Sequence, residues 1–173
     1  AWDPDEDFPL QRVESVPAFC RHLARAHASG KSYRLALTVP PTPAAFETFC
    51  RAAWEVLDAS RPVVVLVDEL AAVVRSAGKA SPAWGALSSR GRKYGAILWA
   101  GTQRPQEIDK TLFGNVGCLW CGRLKTARDR KLLAEEMDVT PADLQALGPL
   151  EYLERWGGDA PQRGRVHIPR RKK

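Results

Sequence analysis

At 173 residues and 19.1 kDa the chain is long enough for one domain with a real hydrophobic core. Hydrophobic residues at 45% and charged residues at 27% exclude a disordered or fibrous chain, and no apolar run approaches the roughly 18 residues that span a bilayer. The net charge of +6 suits a polyanionic partner without identifying one.

Cysteines at 20, 50, 118 and 121 are too few for a disulfide scaffold, and no signal-peptide pattern opens the chain, so a reducing, cytoplasmic setting is expected. The one methionine is Met137. Ala1 is therefore not expected to be a translation start. Asp3, Asp5, Glu6 and Asp7 precede the first basic residue, Arg12. Val16, Phe19, Cys20, Leu23 and Ala26 recur at helical spacing, with Gly30 placed as a cap. Residues 33–39 alternate as a strand. After the loop Pro40-Pro41-Thr42-Pro43, a helix opening at Pro43 runs through Phe46, Phe49, Ala53, Trp54 and Leu57. Residues 63–67, Val-Val-Val-Leu-Val, form the unbroken apolar run that a strand covered on both faces of a parallel sheet requires. A helix over 69–76, a loop over 78–82 and a helix over 83–91 follow. Residues 95–100 and 117–123 are two further buried strands. Helices are expected over 126–137 and 140–147, the second capped by Thr140 with Pro141 in its first position. Residues 150–156 and 163–168 flank Gly157-Gly158 and should pair as a hairpin, and Arg170, Arg171, Lys172 and Lys173 end a basic tail. The alternation of strands and helices predicts a doubly wound α/β domain with a mainly parallel sheet, spanning residues 1–173, with a C-terminal β-hairpin and basic tail.

The pair Asp68-Glu69 ends the 63–67 strand. Ligands of open α/β sheets lie beyond the carboxyl ends of the strands. There one carboxylate can hold a hydrated Mg²⁺ and the other can orient or deprotonate a water. The competing reading is a pair of acids favouring a helix N-terminus through its dipole. Strand 95–100 ends in Gly101-Thr102-Gln103-Arg104-Pro105, where Gln103 can hold a water or sense a phosphate through hydrogen bonds, or be a polar loop residue. Before that strand lies the basic turn Arg90-Gly91-Arg92-Lys93-Tyr94-Gly95, which is otherwise a solvated cluster. Cys118-x-x-Cys121 has half a zinc site's spacing without a second pair, and Leu119 and Trp120 suit a buried strand. His22 and His27 fall on a polar helical face with no nucleophile–base arrangement around them.

An apolar strand ending in Asp-Glu, a basic glycine-containing turn, a second apolar strand and Thr-Gln-Arg-Pro together resemble the HerA/FtsK superfamily of DNA-pumping ATPases. The likeness covers roughly residues 61–125, with weaker support from Trp2-Asp3-Pro4. The resemblance implies a P-loop NTPase-type sheet, ATP and Mg²⁺ as cofactors, and a ring, hexameric by analogy, that moves double-stranded DNA. It implies that Asp68 is the Walker B aspartate, holding Mg²⁺ through water, and that Glu69 is the catalytic glutamate. Gln103 would be the polar sensor, with Thr102 at the nucleotide, and Arg92 the arginine finger offered to a neighbour, with Arg90 as its alternative. Arg75, Lys79 and the basic tail are candidates for DNA phosphate contacts. Compact members of the superfamily include viral packaging motors, so a virion-associated setting is the alternative to the cytoplasm.

The superfamily's phosphate loop, G-x-x-x-x-G-K-[ST], is not matched. Gly30-Lys31-Ser32 carries Arg25 where the first glycine belongs, with a helix before it and a strand after it. The Walker A strand, loop and helix are therefore expected in upstream residues. The rival reading is a non-hydrolysing P-loop-like DNA- or protein-binding module that has lost this loop.

Overall fold

The computed structural model describes residues 10–74 and 80–168. They fall into two compact units, residues 10–74 with 80–101, and residues 102–168.

In the first unit, β1 (Gln11–Val13) pairs in parallel with β2 (Leu35–Leu37). Between them runs α1 (Val16–Ala28), whose N-cap Ser15 accepts a hydrogen bond from the Ala18 amide. Its apolar stripe buries Phe19 and Leu23 against Val13 and Val56. In α2 (Pro43–Glu55) Thr42 Oγ1 accepts from the Ala45 amide at 3.1 Å, and the buried face carries Phe46, Cys50 and Ala53. Phe46 stacks obliquely on the buried Trp84 of α3 (Pro82–Arg90), ring centroids 5.4 Å apart. Glu47 of α2 accepts from the Ala83 amide at the start of α3, 3.1 Å away, where a helix N-terminus has unpaired N–H groups.

β3 (Val63–Val67) and β4 (Ala96–Ala100) form a second parallel pair, in register from Val63↔Ala96 to Val67↔Ala100. One face of this pair is covered at Val65 and Ala96, 4% and 6% exposed. The opposite face presents Val64, Leu66, Ile97 and Trp99, between 47% and 66% exposed. The expectation of strands buried on both sides is thus corrected. An unbroken apolar run establishes that both faces are apolar, not that both are covered. The expected helix over 69–76 is also corrected: one 3₁₀ turn, Leu70–Ala72, forms, and residues 75–76 lie outside the described set.

Gly95 separates the basic turn from β4 at φ +88°, and a Cβ there would stand 2.6 Å from the Asp58 carbonyl oxygen. Gly95→Ala is expected to cost about 1–3 kcal/mol in thermal unfolding, because an L-residue is strained at that φ and the obstacle is backbone. Gly158→Ala, with nothing within 4 Å, is the near-neutral control.

The second unit is built on an antiparallel sheet of β5 (Cys118–Gly122), β6 (Glu151–Trp156) and β7 (Gln162–Arg165). The expected C-terminal hairpin is β6–β7, turning at Gly157 with φ +51°. In place of one mainly parallel sheet, the first unit holds two separate parallel pairs, and the second unit's three-stranded sheet is antiparallel because β5 pairs with the first strand of that hairpin. Helices α4 (Ala127–Met137) and α5 (Pro141–Gln145) contribute Leu133, Ala134, Met137 and Leu144 to a core with Cys121, Leu147 and Leu153. Both helices start as their sequences require. Thr126 accepts from the Asp129 amide, and Thr140 and Asp143 form a reciprocal capping box. β5 is not a buried strand, since Trp120 is 54% exposed and packs on Tyr152 with centroids 4.9 Å apart.

Candidate functional site

The parallel register of β3 and β4 brings their carboxyl ends level, so Asp68 and Gly101 leave the same sheet edge. The Gly101 amide donates to Val67 O and the Leu70 amide to Gly101 O, each at 2.8 Å, which laces the two exits together. A side chain at 101 would put Cβ 2.6 Å from the Asp68 carbonyl oxygen, so only glycine allows this approach.

The adjacent carboxylates have different surroundings. Asp68 is exposed, and its side chain has no hydrogen bond or ion pair among the described residues. Glu69 is half-buried, and its Oε1 accepts from the Ala71 amide at 3.3 Å, capping the 3₁₀ turn anchored by the buried Leu70. The helix-capping reading therefore describes Glu69 Oε1 and leaves Asp68 unaccounted for. Exposed carboxylate oxygens without protein partners at a strand's carboxyl end fit a hydrated Mg²⁺, a hard cation that retains several waters.

The basic turn lies at the end of α3. Its residues form a 3₁₀ segment, Gly91–Tyr94, which can back onto β4 because Gly91 has no side chain to strike Ala96. Arg90 lies over the Trp54 ring, 5.7 Å from its centroid; Trp54 meets Tyr94 edge-on at 5.4 Å, and Lys93 approaches Tyr94 at 5.8 Å. Arg92 is exposed and makes no ion pair among the described residues. Ser89, Arg90, Arg92, Lys93 and Tyr94 border an open depression of about 560 Å³. Trp54 was legible only as one more apolar position of α2; its contact with Arg90 has no signature in the sequence.

Thr102 and Gln103 follow Gly101 directly in the chain and are described with the second unit. Thr102 Oγ1 accepts from the Arg104 amide at 3.0 Å, Arg104 pairs with Glu107 at 3.1 Å, and Gln103 is exposed. Arg75, Lys79, Trp2-Asp3-Pro4 and residues 170–173 lie outside the described residues. Gly30-Lys31-Ser32 follows α1 and precedes β2, and Arg61 donates to the carbonyls of His27 and Lys31, each at 3.0 Å. This is a helix C-terminus with its last carbonyls satisfied, not a phosphate loop.

Among the described residues no group of three or more His, Cys, Asp or Glu side chains is arranged to hold a metal. Cys121 faces the core of the second unit while Cys118 pairs across from Trp156 on the other face of the sheet. Residues three apart on a strand point opposite ways, so the Cys-x-x-Cys spacing cannot converge on one ion here. Burial pushes the Cys121 thiol up to about 11 and raises that of Cys50, leaving both inert. His22 bonds Gln11 and His27 meets Tyr33, without a nucleophile beside either. No described helix is long and apolar enough to cross a membrane.

No protein-family profile matches the chain. It is 42% identical over 158 residues to protein P9 of Pseudoalteromonas phage PM2, a match covering 90% of this chain and 71% of the phage protein. Its fold is similar to that of the genome-packaging NTPase B204 from Sulfolobus turreted icosahedral virus 2 in complex with AMPPCP. That superposition has a TM-score of 0.72 at 12% identity and covers 91% of this chain and 74% of that one. It is likewise similar to B204, the DNA-packaging ATPase from Sulfolobus turreted icosahedral virus, with a TM-score of 0.66, 15% identity, and coverage of 78% and 67%.

Proposed function

We propose, because the chain belongs to the family of the phage PM2 protein P9 and has the mixed α/β fold of the genome-packaging NTPase B204, that it is the ATPase core of a HerA/FtsK-type motor that packages double-stranded DNA. In this reading β3 and β4 are strands of a doubly wound P-loop sheet, subunits assemble into a ring, hexameric by analogy with the superfamily, and the motor works in the infected cytoplasm or at the virion.

The observation that carries the reading is Asp68: a carboxylate without a side-chain partner among the described residues at the carboxyl end of a parallel strand, level with the end of the neighbouring strand at Gly101. Asp68 is the residue that would hold a hydrated Mg²⁺. When bound there, the ion would supply charge neutralisation to a nucleotide's phosphates. Glu69, positioned by the bond its Oε1 accepts from the Ala71 amide, takes the proton of the attacking water. The Gln103 amide senses the terminal phosphate, Thr102 lies at the nucleotide, and Arg92 reaches a neighbour's nucleotide. Arg90, held on Trp54, is the alternative finger.

The test is hydrolysis itself. The full-length protein is expected to release phosphate from ATP only with Mg²⁺, and faster when linear double-stranded DNA is added. A rate no higher than that of Asp68→Asn, with and without DNA, would overturn the assignment in favour of a binding module.

A further inference from the structure

The loop from β5 and the first turns of α4 together carry Arg123, Lys125, Arg128, Arg130 and Lys131 within nine residues, against the single acid Asp129. Their side chains divide sharply. Arg130 turns inward, donating to the carbonyls of Leu124 and Lys125 at 3.1 and 3.0 Å, and so pins the loop. Gln106 braces it from outside with a bond to Arg128 O at 3.1 Å. Asp129 is consumed by the helix cap, its carboxylate accepting the Thr126 hydroxyl at 2.6 Å. That leaves Arg123, Lys125, Arg128 and Lys131, all exposed and without a hydrogen bond or ion pair of their side chains among the described residues. Glu135, one turn beyond Lys131, makes no ion pair with it.

Positions 125, 128 and 131 recur every three residues, which keeps Arg128 and Lys131 on one strip of α4 with Lys125 leading into it. Four unneutralised cations on a braced loop and one helix strip form a row rather than a pocket. No aromatic side chain is interleaved, so bases have nothing to stack on. A row of point charges and guanidinium forks suits a ligand with repeating phosphates.

We propose that Arg123, Lys125, Arg128 and Lys131 form a contact surface for the phosphate backbone of double-stranded DNA. The inference rests on the packaging reading above and adds to it where the DNA is held. The contacts are sequence-independent and made by charge.

The test is the slope of log K against log salt for the protein binding a mixed-sequence duplex. Each phosphate contact on B-DNA contributes roughly 0.9 to that slope. Lys125→Ala/Arg128→Ala/Lys131→Ala is therefore expected to flatten it by about 2 to 3. Arg21→Ala/Arg25→Ala/Lys31→Ala removes the same charge from exposed positions on and just after α1 and should change it by less than about 1. The charge-keeping exchange Lys125→Arg/Arg128→Lys/Lys131→Arg should retain the parent slope, which separates lost charge from lost fold. Equal flattening by both alanine sets, or none by the 125/128/131 set while the parent binds DNA with a steep slope, overturns this surface and leaves the packaging reading standing. A parent protein that binds no duplex at low salt overturns both.

Discussion

Replacing Glu69 by Gln is expected to lower ATP hydrolysis by roughly 10²–10⁴-fold, the contribution of a positioned general base, while nucleotide binding persists. The substitution keeps the helix-capping contact. Glu69 Oε1 accepts from the Ala71 amide, and the amide oxygen of Gln can accept the same bond, so the 3₁₀ turn over Leu70–Ala72 keeps its cap. What Gln cannot do is take a proton from water. Asp68→Asn should behave differently: exposed and unpartnered, Asp68 supports no packing, and its loss should appear as weaker Mg²⁺-dependent nucleotide binding without a change in thermal stability. Binding of a fluorescent ATP analogue, measured with and without Mg²⁺ beside single-turnover hydrolysis, separates the two. An unimpaired rate for Glu69→Gln removes Glu69 from its role.

The second large effect is expected at Arg92. A guanidinium offered in trans to a developing phosphoryl charge is worth about 10³–10⁵ in rate, so Arg92→Ala should be nearly inactive. Because Arg92 is exposed and makes no ion pair among the described residues, the fold should be unaffected. Mixing Arg92→Ala with Glu69→Gln subunits should restore part of the activity, since an intact Arg92 from one then serves an intact Glu69 of the other. A solvated arginine, or one acting within its own subunit, cannot produce that rescue. If the mixture stays inactive and Arg90→Ala complements instead, Arg90 is the finger. In that case Trp54→Ala should weaken it too, because the guanidinium lies over the indole.

Local chemistry was the most legible part of this chain. Thr42, Thr126 and Thr140 each cap a helix where the sequence places them, because a cap depends on residues within one turn. The Gly157-Gly158 hairpin and the Asp-Glu pair after an apolar strand were readable for the same reason. Properties set across the chain were not. The run over 63–67 revealed a strand but not that Val64 and Leu66 stay uncovered, and the apolar character of 117–123 concealed an antiparallel partner and an exposed Trp120. The helix expected over 69–76 shortened to one 3₁₀ turn. In the site, Arg90 and Arg92 were indistinguishable as letters; the packing of Trp54 against one of them is a tertiary fact. The Cys-x-x-Cys spacing was readable as part of a strand, which turns residues three apart away from each other.

The face formed by Val64, Leu66, Ile97 and Trp99 has a consequence for the protein as a colloid. Two forces of opposite sign act between copies: the net charge of +6 holds them apart, and the apolar face draws them together. Dissolved salt shifts both in the same direction. It shortens the reach of the repulsion to about 10 Å at 0.1 M, and sulfate or phosphate strengthens the attraction by exclusion from apolar surface. Solubility should therefore fall steeply with kosmotropic salt, and a lysine placed at Leu66 or Trp99 would add to the repulsion and interrupt the apolar attraction at once.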